Sequence, residues 1–347
     1  MGTHKAVVTT GIGDYDVLKY IDVPTPELRP GSVLIEVKSM GVNNTDINTR
    51  IGWYDQGEGE DDEEDKKGWN GKSSPFPLVQ GTDAAGIIVQ VGEGIEKYYI
   101  GKTVLIQSCT DNGWFGTDFD GGFQEKVVVP FSHCWTVNNT LTMEELGAIP
   151  CSYGTAESML IRARITPGMQ IMVPGASGGV AGAVIDLCAR ARNVNVVAIV
   201  GEGKKALLEE AYQGLPVTVR EGRFGGEKWS KIVEEFKGCV DVVVDNVGGG
   251  GVMDILSCLK RGGSYVTSGA IAGAKVEIDM RTIYLNDLSI LGSTKWADDC
   301  FPNLQRFIND SKIKPLITKV FKLQDIAEAQ KAFLDKGAKV GKFVLTP

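Results

Sequence analysis

Histidine is nearly absent from this sequence: among 347 residues there are two, His4 and His133. A catalytic metal draws three or four side-chain ligands from histidine, cysteine and acids, so the shortage leaves little to build one from. His4 stands near the start, and His133, in "PFSHCW", reads as a surface or core residue of a β segment. Cys-x-x-Cys is missing altogether. The seven cysteines are odd in number and widely spaced, which argues against a disulfide framework and a structural metal lobe. They read as reduced thiols packed like small apolar residues. No run approaches the ~18 apolar residues of a membrane span, and "MGTHKAVVTTG" lacks the charged and apolar segments of a secretory signal. A cytoplasmic protein with no membrane partner is expected. No basic stripe suggests nucleic acid.

Charge is present, but it is local. The net charge is −8, and seven acids lie in Glu58–Asp65, "EGEDDEED"; without them the balance is −1. The run reads as a solvated loop, since it lacks the spaced ligands and turn glycine of a calcium loop. Residues 53–77 as a whole read as a long mobile loop.

The first part of the chain alternates short polar and apolar runs, such as "SVLIEVKSMGV", "AAGIIVQVG" and "FQEKVVVP", separated by glycine and proline. This pattern predicts an antiparallel, barrel-like β region. Near Leu141 the style changes. "TMEELGAIPCSYGTAESMLIRARI" has helical spacing, and apolar strands then alternate with helices, as in "QIMVPGASGGVAGAVIDLCARAR" and "CVDVVVDNVGGGGVMDILSCLKRGGSYVTSG". Such alternation predicts an α/β fold with a doubly wound parallel sheet covered on both faces. The terminal "KFVLTP" returns to the earlier style. The expected division is a β domain of residues 1–135 and 298–347 and a nucleotide-binding domain of residues 136–297.

"VPGASGGVAGA" joins an apolar strand to a helix, with Gly175, Gly178 and Ala181 at three-residue spacing and Gly179 and Gly182 beside them. Glycine lets the backbone approach a pyrophosphate, and the helix offers free N–H groups and the positive end of its dipole. The loop follows a strand and opens a βαβ series, so a dinucleotide is the expected ligand. The second strand ends "AIVGEGKKA". Gly201 stands where an acid for the ribose hydroxyls is usual, and Lys204 and Lys205 follow. Lysine there can meet a 2′-phosphate, which favours NADPH over NADH. Arg220 and Arg223 are further candidates for that phosphate.

These motifs, with "VVVDNVGG", "GGSYVTSGAIAG", "LSILGST" and "VGKFVL" in that order, resemble the medium-chain dehydrogenase/reductase superfamily. The zinc-independent branch, with its quinone oxidoreductases and enoyl reductases, is the closer match. The resemblance implies a GroES-like antiparallel β-barrel domain beside a Rossmann domain. It implies cofactor contacts from Thr155, Gly175, Ser177, Gly178, Gly179, Val180, Gly201, Lys205, Asn246, Val247, Ser268, Gly269, Ala270 and Lys342. It also implies a homodimer paired through "DLSILGST". The zinc ligands of the other branch would fall at Asn43, at Thr82 and Asp83, and near Cys151. One sulfur without nitrogen partners does not make a catalytic zinc site, so no metal is expected.

The run "NNTDINTRIGWY" matches the resemblance further. In enoyl-thioester reductases of this superfamily an asparagine is followed at this spacing by a tyrosine that donates the proton. The matching residues here are Asn43 and Tyr54, which are the expected catalytic residues. A neutral phenol, with an unperturbed pKa of ~10, can both hydrogen-bond and give up a proton. Asp46 is expected to hold the loop. Trp53, Tyr153 and Trp296 suggest a flat apolar pocket for a conjugated or ring-bearing small molecule. The expected reaction is NADPH-dependent reduction of an activated C=C bond in an α,β-unsaturated carbonyl or a quinone. Metal-free alcohol dehydrogenation, or ketone or aldehyde reduction, is the alternative. A non-redox or structural NADPH-binding protein is the alternative of another class.

Overall fold

The computed structural model describes residues 2–55, 74–335 and 337–347, which divide into two compact units. The acid run Glu58–Asp65 and the middle of the expected 53–77 loop lie outside the described residues.

The first unit comprises Met1–Cys151, Ile317–Lys336 and Lys342–Pro347. Its main sheet runs in the order Cys134–Thr136, Thr103–Ile106, Ala85–Val91, Ser32–Gly41, Lys342–Thr346 and Ile317–Lys322, with Lys126–Pro130 also on Ser32–Gly41. All neighbours are antiparallel except the last two strands, which run parallel. Alternation along Ser32–Gly41 and its partners turns Val33, Ile35, Val37, Ile88 and Val127 into one core with Phe123 and Phe343. The chain's last strand enters this sheet, with Val344 opposite Gly41 and Leu345 opposite Met40. The GroES-like β domain therefore does take the chain back at its end.

The second unit comprises Ser152–Leu316 and Gly337–Gly341. Its sheet is wholly parallel, in the order Val217–Glu221, Asn195–Val200, Gln170–Pro174, Val240–Asp245, Leu259–Thr267 and Ser289–Gly292. This is the doubly wound Rossmann order, and it reverses beside Gln170–Pro174. Helices on the faces keep the inner strands buried, which is why "IMVP", "VVAIV" and "VDVVVD" read as apolar runs.

Both expected domain boundaries move. Residues 136–151 belong to the first unit, because the helix Met143–Gly147 packs on Ser32–Gly41. A Cβ on Gly147 would come within 2.7 Å of Ser39 Cβ. Residues 298–316 stay with the nucleotide unit. There the helix Cys300–Asn309 gives an Asn303 amide hydrogen to buried Glu157 at 2.9 Å, and Cys300 Sγ donates to Gly154 O at 3.2 Å. The helical stretch after Leu141 is two helices, Met143–Gly147 and Pro150–Arg162, since a proline starts a helix but does not continue one. The helix expected through "GVMDILSCLKRGG" stops at Ser257, and the rest enters the strand Leu259–Thr267. Among the described residues no helix is long and apolar enough to cross a membrane.

Candidate active site

The predicted residues fall into two clusters, one in each unit. In the nucleotide unit, Gly175 ends the first parallel strand with φ +63°, where a side chain would be strained and would strike Val247. Gly178 caps the helix Gly179–Ala189, and the first intrahelical bond runs from Gly182 N–H to Gly178 O. The N–H groups of Gly179, Val180 and Ala181 thus precede the helical ladder, as an anion seat requires. Buried Asp245 shapes the facing loop by accepting from Val247 N–H at 2.6 Å, Gly248 N–H at 3.2 Å and the Tyr265 hydroxyl at 2.8 Å. Asn246 Oδ1 accepts from Ser268 N–H at 3.1 Å and Ser268 Oγ at 2.8 Å, and Gly269 lies against Asn246. Gly175, Ser177, Asn246, Val247, Ser268, Gly269 and Ala270 therefore gather at the carboxyl ends of the central strands, where this fold binds ligands. The glycine cradle fits a dinucleotide.

At the end of the second strand the basic residues sort themselves. A Cβ on Gly201 would come within 3.1 Å of Arg223 Nε, so that guanidinium lies over the strand end. Lys204 Nζ donates to Ser177 Oγ at 3.3 Å. Lys205, expected at the cofactor, is exposed and lies 3.6 Å from Glu209, four residues on along the same helix. Arg220 is held by Glu235 through two hydrogen bonds. Glu221, the acid ending the third strand, is occupied by Gly203 N–H and Lys228. Thr155 is half-buried on the helix Pro150–Arg162.

Two expected pocket aromatics are core residues of this unit. Tyr153 is 4% exposed and donates its hydroxyl to buried Asp186 at 2.9 Å. Trp296 is buried against Phe301, and its ring lies so close to Gly154 that a Cβ there would sit 2.6 Å from Trp296 Cζ3. Burial and pocket lining look alike in a sequence, because both need apolar surface.

The first unit holds the other cluster. Asn43 begins the helix Asn44–Arg50 as its N-cap, and its N–H donates to Asp46 Oδ2 at 2.8 Å. Asp46 also accepts from Thr82 N–H at 3.1 Å, so it does hold the loop. Burial pushes the Asp46 carboxyl up to about 7, against the pull of the Asn43 and Thr82 N–H groups. The Asn43 Nδ2 hydrogens go to Thr82 Oγ1 at 2.9 Å and Asp83 Oδ2 at 2.8 Å. Its Oδ1 accepts from Lys342 Nζ at 2.5 Å. Lys342 also pairs with Asp83 Oδ2 at 2.8 Å, while Asp83 Oδ1 accepts from Cys151 N–H at 2.6 Å. Lys342, expected at the cofactor, is a buried member of this first-unit cluster, 4% exposed. An isolated lysine and an isolated acid in apolar runs, "VGKFVL" and "QGTDAAG", were the only signals of the pair. Trp53 and Tyr54 form a short turn after the helix, with rings edge to face at 5.1 Å; Trp53 is 45% exposed and Tyr54 half-buried.

Comparison with known proteins decides the family. Residues 29–139 match the alcohol dehydrogenase GroES-like domain, and residues 227–345 match the zinc-binding dehydrogenase domain. A solved structure from Sinorhizobium meliloti 1021, provisionally assigned as an alcohol dehydrogenase, is 38% identical. The match covers 99% of this chain and 97% of that one, with a TM-score of 0.90. The chain belongs to the medium-chain dehydrogenase/reductase superfamily. Among curated members of the superfamily, the quinone oxidoreductase of Mus musculus is 27% identical over 98% of this chain and 97% of its own length. The synaptic vesicle membrane protein VAT-1 homolog of Rattus norvegicus is 26% identical over 99% of this chain and 84% of its own length. As a medium-chain dehydrogenase/reductase, the chain is an NAD(P)H-dependent oxidoreductase.

The superfamily's domain description includes zinc, and the residues on the corresponding loops do not fit that ion. Asn43 and Thr82 are neutral oxygen and nitrogen groups already hydrogen-bonded to one another. Burial pushes the Cys151 thiol up to about 12, so it is a neutral thiol in this environment. Both oxygens of Asp83 are engaged, one of them by an ammonium. Among the described residues no group of three or more histidines, cysteines and acids could hold a metal ion.

Proposed function

We propose that this chain is an NADPH-dependent, zinc-independent reductase of activated C=C bonds, acting on a conjugated or ring-bearing α,β-unsaturated carbonyl or a quinone. The observation that carries the reading is the polar cluster of the first unit, where an amide, a hydroxyl and an ion pair stand on the loops that bear zinc ligands in other members of the superfamily. NADPH would supply hydride to the β-carbon. Negative charge then develops on the substrate oxygen, and without a Lewis acid it must be met by hydrogen-bond donors. Asn43 has committed its amide hydrogens, so its part is to hold the Thr82–Asp83 loop. Tyr54, on an exposed turn, would protonate the α-carbon.

Preference for NADPH is supported by Arg223 over Gly201 and by Lys204 beside Ser177, where an acid would serve NADH. Seven free cysteines suit a reducing compartment such as the cytoplasm. The edge strand Ser289–Gly292, with exposed Ile290, supports a homodimer paired through it. Metal-free interconversion of an alcohol and a carbonyl is a second reading, favoured by the provisional assignment of the Sinorhizobium protein.

The deciding experiment is NADPH turnover on a panel of enones and quinones after exhaustive chelation. A saturated carbonyl or a hydroquinone as product is the expected result. An alcohol would select the second reading, and loss of turnover on chelation would overturn both.

A further inference from the structure

Lys342 is an unusual residue for its place. It opens an inner strand whose next three residues, Phe343, Val344 and Leu345, are apolar and buried. Burying a charged ammonium is costly unless it is paired and hydrogen-bonded. Here the backbone is arranged around the charge. Gly41, on the neighbouring strand, has no side chain where a Cβ would sit 2.7 Å from Lys342 Cε and closer still to Asp83 Oδ2. The ammonium meets one neutral and one anionic oxygen, Asn43 Oδ1 and Asp83 Oδ2. Those two residues, with Thr82 and Cys151, come from three separate segments of the chain that hydrogen-bond to one another.

We propose that the Lys342 ammonium is the resident cation of this cluster: it stands in for a divalent metal on these loops and, through Asn43, holds the Thr82–Asp83 loop in place for the reaction. The second half rests on the reductase reading above. The ammonium carries fixed positive charge on a tether, so an incoming metal ion would have to displace it from Asp83. By donating to Asn43 Oδ1 it also fixes which end of that amide faces Thr82 and Asp83. Lys342 acts through Asn43 and is a positioning residue.

Two measurements on the full chain test this. The first adds cobalt(II) chloride to chelated wild-type protein and follows absorbance. The expected result is no thiolate-to-cobalt band. A band that saturates at one equivalent and disappears in Cys151→Ser would overturn the proposal, and no substrate is involved in this arm. The second compares Lys342→Met with the double variant Asp83→Asn/Lys342→Met, in which Asp83 is not left as an unpaired buried charge. Both are expected to bind NADPH within about twofold of wild type, by cofactor fluorescence, and to lose at least about tenfold in kcat, the scale of one charged hydrogen bond. A tenfold weaker NADPH complex with kcat intact would return Lys342 to the cofactor. Recovery of rate in the double variant would make it a mere counter-ion of Asp83. Either result would overturn the positioning role. If wild-type protein turns over no member of the panel, the reductase reading fails, and the cobalt arm still decides the resident cation.

Discussion

Lys342 Nζ lies 2.8 Å from Asp83 Oδ2, and the pair occupies the space that a side chain on Gly41 would fill. Gly41→Ala is therefore expected to destabilise the first unit by about 1–3 kcal/mol through overpacking. Urea unfolding followed in that unit checks this; an unchanged midpoint would show that the ion pair can move aside.

Asp46 should leave a signature in the pH dependence of stability. Its carboxyl is raised to about 7 in the folded chain, mainly by burial, against ~3.9 when unfolded. Between those values the folded state holds more protons, so the contribution is fully present at low pH and is lost as pH rises towards 7. Subtracting the stability of Asp46→Asn from that of wild type should give a difference that declines from pH 5 to pH 7, by up to about 1.4 kcal/mol per pH unit, and is flat above. A difference independent of pH would mean that Asp46 stays ionised throughout.

Arg223→Ala is expected to weaken NADPH binding by roughly 10- to 100-fold, the worth of one charged hydrogen bond, and to leave NADH unchanged. Gly201→Asp should move preference the same way, because its carboxylate would neutralise the guanidinium 3.1 Å from the Cβ position. Equal losses for both cofactors would place Arg223 away from the 2′-phosphate.

Tyr54→Phe removes the proposed proton donor and should lower kcat by about 10²–10⁴ with NADPH affinity retained. Full activity in this variant would take Tyr54 out of the reaction.

Tyr153→Phe tests whether that ring belongs to the core. Burial raises Asp186 to about 6, and the Tyr153 hydroxyl is one of the donors that oppose the rise. Loss of that donor should cost about 1.5–3 kcal/mol when the carboxyl is ionised, and less at pH 5 than at pH 8. Substrate KM should not change. A raised KM with stability intact would restore Tyr153 to the pocket.

Much of this arrangement was legible in the residues. The glycine turn between "IMVP" and a helix lies where the pattern placed it, and the run from Asn43 to Tyr54 forms one short helix and the turn after it. Side-chain direction was not legible. Lys204 and Lys205 differ by one position at a helix start, yet Lys204 reaches Ser177 and Lys205 pairs with Glu209. Arg220 and Arg223 differ by three, and Glu235, on a helix further along the chain, claims Arg220. The contact of Lys342 with Asn43 could not be read, since 299 residues separate them and no local pattern links them.

That separation has a consequence for biosynthesis. The nucleotide unit is an insertion: its residues leave the ribosome between the two halves of the sheet that holds Asn43 and Asp83. A nascent chain can thus complete its Rossmann layer while the older half still has a gap beside Ser32–Gly41. Until residue 342 emerges, Asp83 lacks the Lys342 ammonium, and the barrel closes only after the nucleotide unit has been translated.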